Sequence, residues 1–118
     1  MKIRTEYTCP LEFTHDIMRG KWKAIILFQL RKGALSLAKL KKEISGISEK
    51  MLLEHLNDLM DFGMVKKKSF TGYPLQVEYS LDERGEKMLN AIRIMQEIGI
   101  DIMKEDGKTD FLISKGLI

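Results

Sequence analysis

The chain has a single cysteine, Cys9, in 118 residues. One thiol excludes an internal disulfide framework and fits a reducing cytoplasm. No apolar run approaches the ~18 residues that a membrane span needs. Met1 to Pro10 contain no apolar stretch of a signal peptide, so a cytoplasmic protein with no membrane partner is expected. His15 and His55 are far apart, with no cysteine or carboxylate at ligand spacing, so no metal site is expected. There is no glycine-rich phosphate loop, nucleophile elbow or pair of catalytic carboxylates, which argues against an enzyme and against a bound cofactor. Asp58 and Asp61, like Glu105 and Asp106, read as solvated helix charges. Repeats, low-complexity tracts and linkers are also lacking, so residues 1–118 read as one domain.

What is present is a globular composition, 44% hydrophobic and 31% charged. The net charge of +3 is unevenly spread. Residues 1–81 hold 14 Lys/Arg against 9 Asp/Glu, and residues 82–118 hold 6 against 8. Positive charge therefore sits in the first part of the chain, as phosphate contact requires. A solvated basic surface has the same totals.

Pro10 suits the first turn of a short helix running to about Met18, because its missing N–H would be unbonded there. Gly20 ends that helix. Trp22, Ile25, Ile26, Leu27, Phe28 and Leu30 make the second helix the most apolar segment and the expected centre of the core. Trp22 reads as packing, not as a stacking platform. Gly33 closes this helix, with Arg31 and Lys32 in the last turn, where cations suit the helix dipole. Ser36 caps a third helix in which Leu37, Leu40 and Ile44 recur at three- and four-residue spacing. Ser45-Gly46 breaks the chain, Ile47 pins the turn, and Ser48 caps a fourth helix, 48 to 62. Leu52, Leu56, Leu59 and Met60 form its inward stripe, with His55 beside it in a structural role. Lys50, Leu53 and Asn57 follow i, i+3, i+7 spacing and project together on another face with Glu54. An amide and an ammonium so placed can read base edges; an ordinary solvated face has the same pattern.

Between residues 64 and 81 the period becomes two. Val65, then Leu75, Val77, Tyr79 and Leu81, alternate with Gln76, Glu78 and Ser80, and Thr71-Gly72-Tyr73-Pro74 signals a turn. Two strands with a tip near Gly72 are expected. Lys66, Lys67 and Lys68 form a basic run that suits a phosphate backbone, and that also suits the blunting of an exposed strand edge. Asp82 caps a final helix, roughly Glu83 to Glu105, with an apolar stripe of Met88, Leu89, Ile92, Met95, Ile98, Ile102 and Met103. So long a helix on so small a domain leaves apolar surface for a partner. A two-fold homodimer is the simplest closure, and it would set two reading helices about 34 Å apart, at successive major grooves. The conformation of residues 106–118 is left open. The order of elements is that of an α+β, mainly α, winged helix-turn-helix domain with a two-stranded wing and a long C-terminal dimerisation helix. Its reading module covers about residues 20–81; the N-terminal segment and the helix at about 82–105 are expected to dimerise.

Four short motifs then fall in a specific order. They are Cys9-Pro10-Leu11; Gly20-Lys21-Trp22 with Ile26-Leu27; Gly46-Ile47-Ser48 with Lys50-Met51-Leu52; and Val77-Glu78-Tyr79-Ser80-Leu81. Together they resemble the HxlR-type transcription regulators, winged helix-turn-helix proteins related to the MarR group. The resemblance spans about Cys9 to Ile98. It implies a dimeric regulator, a repressor on a pseudo-palindromic operator in double-stranded DNA. The helix 48 to 62 would enter the major groove, the wing would follow the backbone, and Lys39 would meet a flanking phosphate. The residues expected at DNA are Ser36, Lys39, Ser48, Glu49, Lys50, Leu53, Asn57, Lys66, Lys67, Lys68 and Tyr73. Three positions depart from the family pattern. Ser36-Leu37 replaces arginine-phenylalanine, Leu53 replaces threonine, and Ile98-Gly99 replaces tryptophan-glycine. The first two imply an unusual target site or weaker DNA binding, since a leucine can touch a thymine methyl but cannot hydrogen-bond. The third reads as a packing variation.

Cys9 falls at or near the N-cap of the first helix, where the dipole favours a thiolate. Arg4 would favour it and Glu6 would oppose it. The position resembles that of the family's redox-sensing cysteine, which makes a small electrophile or oxidant an expected partner. With no second cysteine, a disulfide would join Cys9 to its counterpart in a dimer or to a small thiol. The other reading of Cys9 is a small inert hydrophobe. A second functional class also stays open: a winged-helix module for protein–protein assembly without specific DNA reading. Leu53 and the missing arginine at position 36 favour it, whereas the basic balance of residues 1–81 favours DNA.

Overall fold

Capping serines and closing glycines set the helix boundaries. The computed structural model describes every residue except Lys2 and Tyr73. In chain order the elements are α1 (Pro10–Met18), α2 (Trp22–Gln29) with a 3-10 turn at Leu30–Lys32, β1 (Leu35–Ser36), α3 (Leu37–Glu43), α4 (Glu49–Asp61), β2 (Val65–Phe70), β3 (Gln76–Leu81), α5 (Glu83–Glu105) and α6 (Thr109–Ser114). Ser36 Oγ accepts the Lys39 N–H at 3.2 Å and Ser48 Oγ the Met51 N–H at 3.1 Å, so α3 and α4 each start on a satisfied cap. Helix α4 stops in a Schellman turn. Gly63, at φ 72°, donates its N–H to the Met60 carbonyl, and Met64 donates to the Leu59 carbonyl at 2.9 Å. A left-handed residue is needed there, and glycine adopts it without a Cβ clash.

The sheet has three antiparallel strands in the order β1-β3-β2, one more than the two-stranded wing expected. The extra strand, β1, pairs Leu35 with Tyr79 and Ser36 with Glu78. It is two residues long and carries no period of its own. Its pairing ties the start of α3 to the inner strand of the wing. Strands β2 and β3 pair from Val65 with Leu81 to Phe70 with Gln76. Tyr79 and Leu81 are buried and Val77 packs on the core. Leu75, expected on that apolar face, lies before β3 and is exposed.

The core gathers Ile26 and Leu27 of α2, Leu40 of α3, and Leu52, Leu56 and Leu59 of α4, all fully buried. Leu89 and Ile92 of α5 close it. Each such side chain contributes roughly 1.5–3 kcal/mol of transfer free energy. Trp22 is half-buried and packs on this cluster, as does Met60. Helix α5 then runs well past the core. The radius of gyration, 15.9 Å, exceeds the roughly 13.5 Å of a compact domain of this length. Of the apolar stripe expected on α5, Leu89 and Ile92 are buried, while Met95, Ile98 and Ile102 are exposed, joined by Ile94. Residues 109–114 form the short α6, anchored by the fully buried Leu112.

Two polar knots fasten the helices. Asp16, buried at the end of α1, accepts hydrogen bonds from Arg4 Nε (2.8 Å) and Nη2 (2.9 Å), from Arg19 Nη2 (2.7 Å) and from the Tyr7 hydroxyl (3.0 Å). The Arg4 guanidinium foremost holds its carboxyl at about 2. Lys23, buried in α2, donates to the Ile17 carbonyl at 2.7 Å and pairs with Asp58 of α4 at 3.3 Å.

Candidate nucleic-acid interface

The candidate surface is assembled from the outside of α4, the start of α3 and the strand pair β2–β3. With Leu52, Leu56 and Leu59 committed to the core, helical geometry leaves Lys50, Glu54 and Asn57 exposed, with Leu53 on the flank of that face at 36% exposure. Glu49 is exposed in the first turn. Ser48 and Ser36 are exposed as well, but their oxygens already accept helix N–H groups, so each has its hydroxyl hydrogen left to offer. Lys39 is exposed on α3, whose buried face is held by Leu40. Lys66, Lys67 and Lys68 are all exposed on β2, the edge strand, with Lys68 opposite Glu78 across the pair. Tyr73, the remaining residue expected at DNA, lies outside the described residues.

The lysines of the candidate surface differ in pairing from the cations around Asp16 and Asp58. Among the described residues, Lys39, Lys50, Lys66, Lys67 and Lys68 form no salt bridge, whereas Arg4, Arg19 and Lys23 are tied to Asp16 or Asp58. These five unpaired ammonium groups lie on α3, α4 and the wing, where they can neutralise phosphate. Arg4, Arg19 and Lys23 lie on or beside α1 and α2. His55, on the α2 side of α4, has a buried Nδ1 with no hydrogen-bond partner among the described residues. Burial, and then the Lys23 charge, push its pKa down, against the opposing pull of Asp58 and Glu54.

Cys9 occupies the N-cap of α1, where its carbonyl accepts the Glu12 N–H at 3.0 Å, and it is partly exposed. Tyr7, Thr8, Pro10, Phe13 and Thr14 line a cavity of about 510 Å³ with it. Arg4, expected to favour its thiolate, is engaged by Asp16 and Glu12. Between α1 and α5 runs a larger groove of about 680 Å³, with Leu11, Met18, Ala24, Met88, Ile92 and Met95 in its walls. Leu11 and Met95 are 76% and 63% exposed.

The sequence missed the Asp16 and Lys23 knots because they close only when the N-terminal segment folds back on α1 and α4 packs on α2. One signal was available: Lys23 interrupts the apolar run from Trp22 to Phe28, and a cation inside such a run must find a carboxylate or carbonyls. Among the described residues, no group of three His, Cys, Asp or Glu is placed to hold a metal, and no helix is long and apolar enough to cross a membrane.

Residues 17–107 match the family model described as HxlR-like helix-turn-helix. The uncharacterized HTH-type transcriptional regulator YkvN of Bacillus subtilis is 36% identical over 83 residues, 70% of each chain. Among solved structures, the redox regulator HypR in its reduced form superposes with a TM-score of 0.74 at 30% identity, over 90% of this chain and 99% of that one. The reduced form of the transcriptional regulator YodB from B. subtilis gives 0.67 at 26% identity, over 77% and 90%. With a helix-turn-helix, a wing and a long final helix in the same order, the chain is a transcription regulator, not an enzyme, and it belongs to the HxlR-like helix-turn-helix family.

Proposed function

We propose that this regulator binds a pseudo-palindromic operator in duplex DNA as a cytoplasmic homodimer and represses transcription there. The observation that carries this is the outer side of α4. Lys50, Leu53 and Asn57 project from a helix whose opposite side is wholly spent on the core, beside lysines that form no salt bridge among the described residues. In the bound state α4 lies in the major groove, Lys39 meets a flanking phosphate, and the wing lysines follow the backbone. Fluorescence anisotropy on genomic fragments selected with the purified protein tests it. Affinity should fall linearly on a log–log plot as salt rises, with about one unit of slope for each phosphate neutralised. No duplex binding at low salt would leave the second reading, a winged-helix module for protein–protein assembly, which the apolar Leu53 favours.

Within the same reading, Cys9 senses oxidants or electrophiles. Its support is the position at the N-cap of α1, its partial exposure in the Tyr7–Phe13 cavity, and its likeness in place to the sensing cysteine of the family. With one cysteine in the chain, oxidation joins two Cys9 thiols across a dimer or adds a small thiol. Diamide should change DNA affinity in the native protein and leave Cys9→Ser unaffected; identical behaviour of the two would exclude Cys9 as the switch.

A further inference from the structure

Helix α4 exposes two apolar side chains flanking its polar face, Met51 at 39% and Leu53 at 36%, and Leu53 is the one at i+3 from Lys50 and i−4 from Asn57. Leu53 belongs neither to the core nor to the half-buried residues packed on it. Lys50 precedes it by three residues and Asn57 follows by four, both exposed. A leucine there forms no hydrogen bond to water, phosphate or a base edge, so it contributes binding energy only when apolar matter covers it. In the major groove the apolar feature of a base pair is the C5 methyl group of thymine.

We propose that Leu53 reads a thymine methyl in each operator half-site, an assignment that rests on the DNA-binding reading above. Asn57 sits about 6 Å further along the helix axis, a little under two base steps of 3.4 Å. Its amide matches adenine N6 and N7. An A·T pair displays the adenine edge and the thymine methyl side by side, so the two residues together select A·T pairs within about two steps of each other. Lys50, about 4.5 Å on the other side of Leu53, brings only donors and so pairs with guanine acceptors or a phosphate. Each half-site is therefore A·T at its centre, with one thymine whose methyl is required.

The methyl alone can be removed. Deoxyuridine keeps the pairing and the O4 acceptor of thymine and lacks only the C5 methyl. Each thymine of the selected operator is replaced in turn, symmetrically in both half-sites, and affinity is measured by anisotropy for the full chain and for Leu53→Ala and Leu53→Met. Covering one methyl is worth roughly fourfold per half-site, or roughly 16-fold for the pair. At one thymine position the native protein and Leu53→Met should lose about that factor with uracil, while Leu53→Ala should lose less than twofold, as a double-mutant cycle requires. Indifference of the native protein to uracil at every position would overturn the assignment while DNA binding stood, and so would an equal loss in Leu53→Ala. Absence of any duplex binding at low salt would remove both.

Discussion

At Gly85, on the inner face of α5, a single methyl group meets the main chain. A Cβ built there would stand 2.0 Å from the Met64 carbonyl oxygen and 3.2 Å from Leu81. That carbonyl accepts the Asp82 N–H at 2.9 Å, so it cannot move without breaking the joint between wing and helix. Gly85→Ala should therefore cost about 1–3 kcal/mol in urea unfolding, against the gain in helix propensity that alanine normally brings. An unchanged or higher midpoint would show the joint to be loose. Asp16 supplies a second residue-scale outcome. Its folded-state value of about 2 lies below the ordinary 3.8, so its contribution to stability is complete above about pH 4 and is lost as pH falls toward 2. Asp16→Asn should flatten the unfolding profile in that window, and coincident acid slopes for both proteins would refute this. Neither residue was legible in advance. Gly85 reads as one more helix glycine, and Asp16 reaches Arg4 and Tyr7 only because the N-terminal segment folds back over α1.

The elements themselves were legible where a cap and a period coincide. Ser48 ahead of the Leu52-Leu56-Leu59 stripe, and Asp82 ahead of Leu89 and Ile92, each state a start and a buried face. Strand β1 has neither; two residues cannot show alternation, and its existence depends on Tyr79 and Glu78 arriving from more than 40 residues away. The wing lysines were visible as a run, and the paired strands place them on an edge. Changing Lys66, Lys67 and Lys68 together to glutamine should flatten the salt dependence of DNA affinity, by about one unit of slope for each phosphate that a wing no longer neutralises. An unaltered slope would reduce the run to a guard against edge pairing. The α2–α4 joint predicts a pH effect of its own. Burial and Lys23 lower the pKa of His55 from the ordinary 6.5, so the folded state resists its protonation. Stability should be full above about pH 6.5 and decline as pH falls below it. His55→Gln should lack that decline between pH 7.5 and 5.5, and parallel thermal profiles for the two proteins would contradict the joint's sensitivity.

For the molecule as a whole, the open question is what covers the outer side of α5. Ile94, Ile98 and Ile102 recur every four residues and are each more than half exposed, next to Met95 and the groove that Leu11 borders. One domain cannot bury this stripe, because Leu89 and Ile92 already face its core and the helix, about 35 Å long, runs beyond it. A second copy related by a two-fold axis would meet the stripe with an identical stripe, which is the self-complementary arrangement such an axis imposes. The charge pattern agrees with this placement. Residues 82–118 hold slightly more acid than base, so pairing them would keep the basic α3, α4 and wing outward for DNA. Ile98→Glu should then place two carboxylates against each other across the axis, in surroundings that leave them without partners. Sedimentation equilibrium should give the native protein twice the 13.7 kDa chain mass and Ile98→Glu a single chain mass. The helical circular dichroism signal should persist, because residue 98 is exposed in the single chain and its core is untouched. Operator affinity should drop steeply with it, since each half-site is then bound alone. A variant that stays dimeric would place the partner surface elsewhere. A variant that is monomeric yet binds the full operator as tightly as the native protein would break the link between α5 pairing and DNA reading.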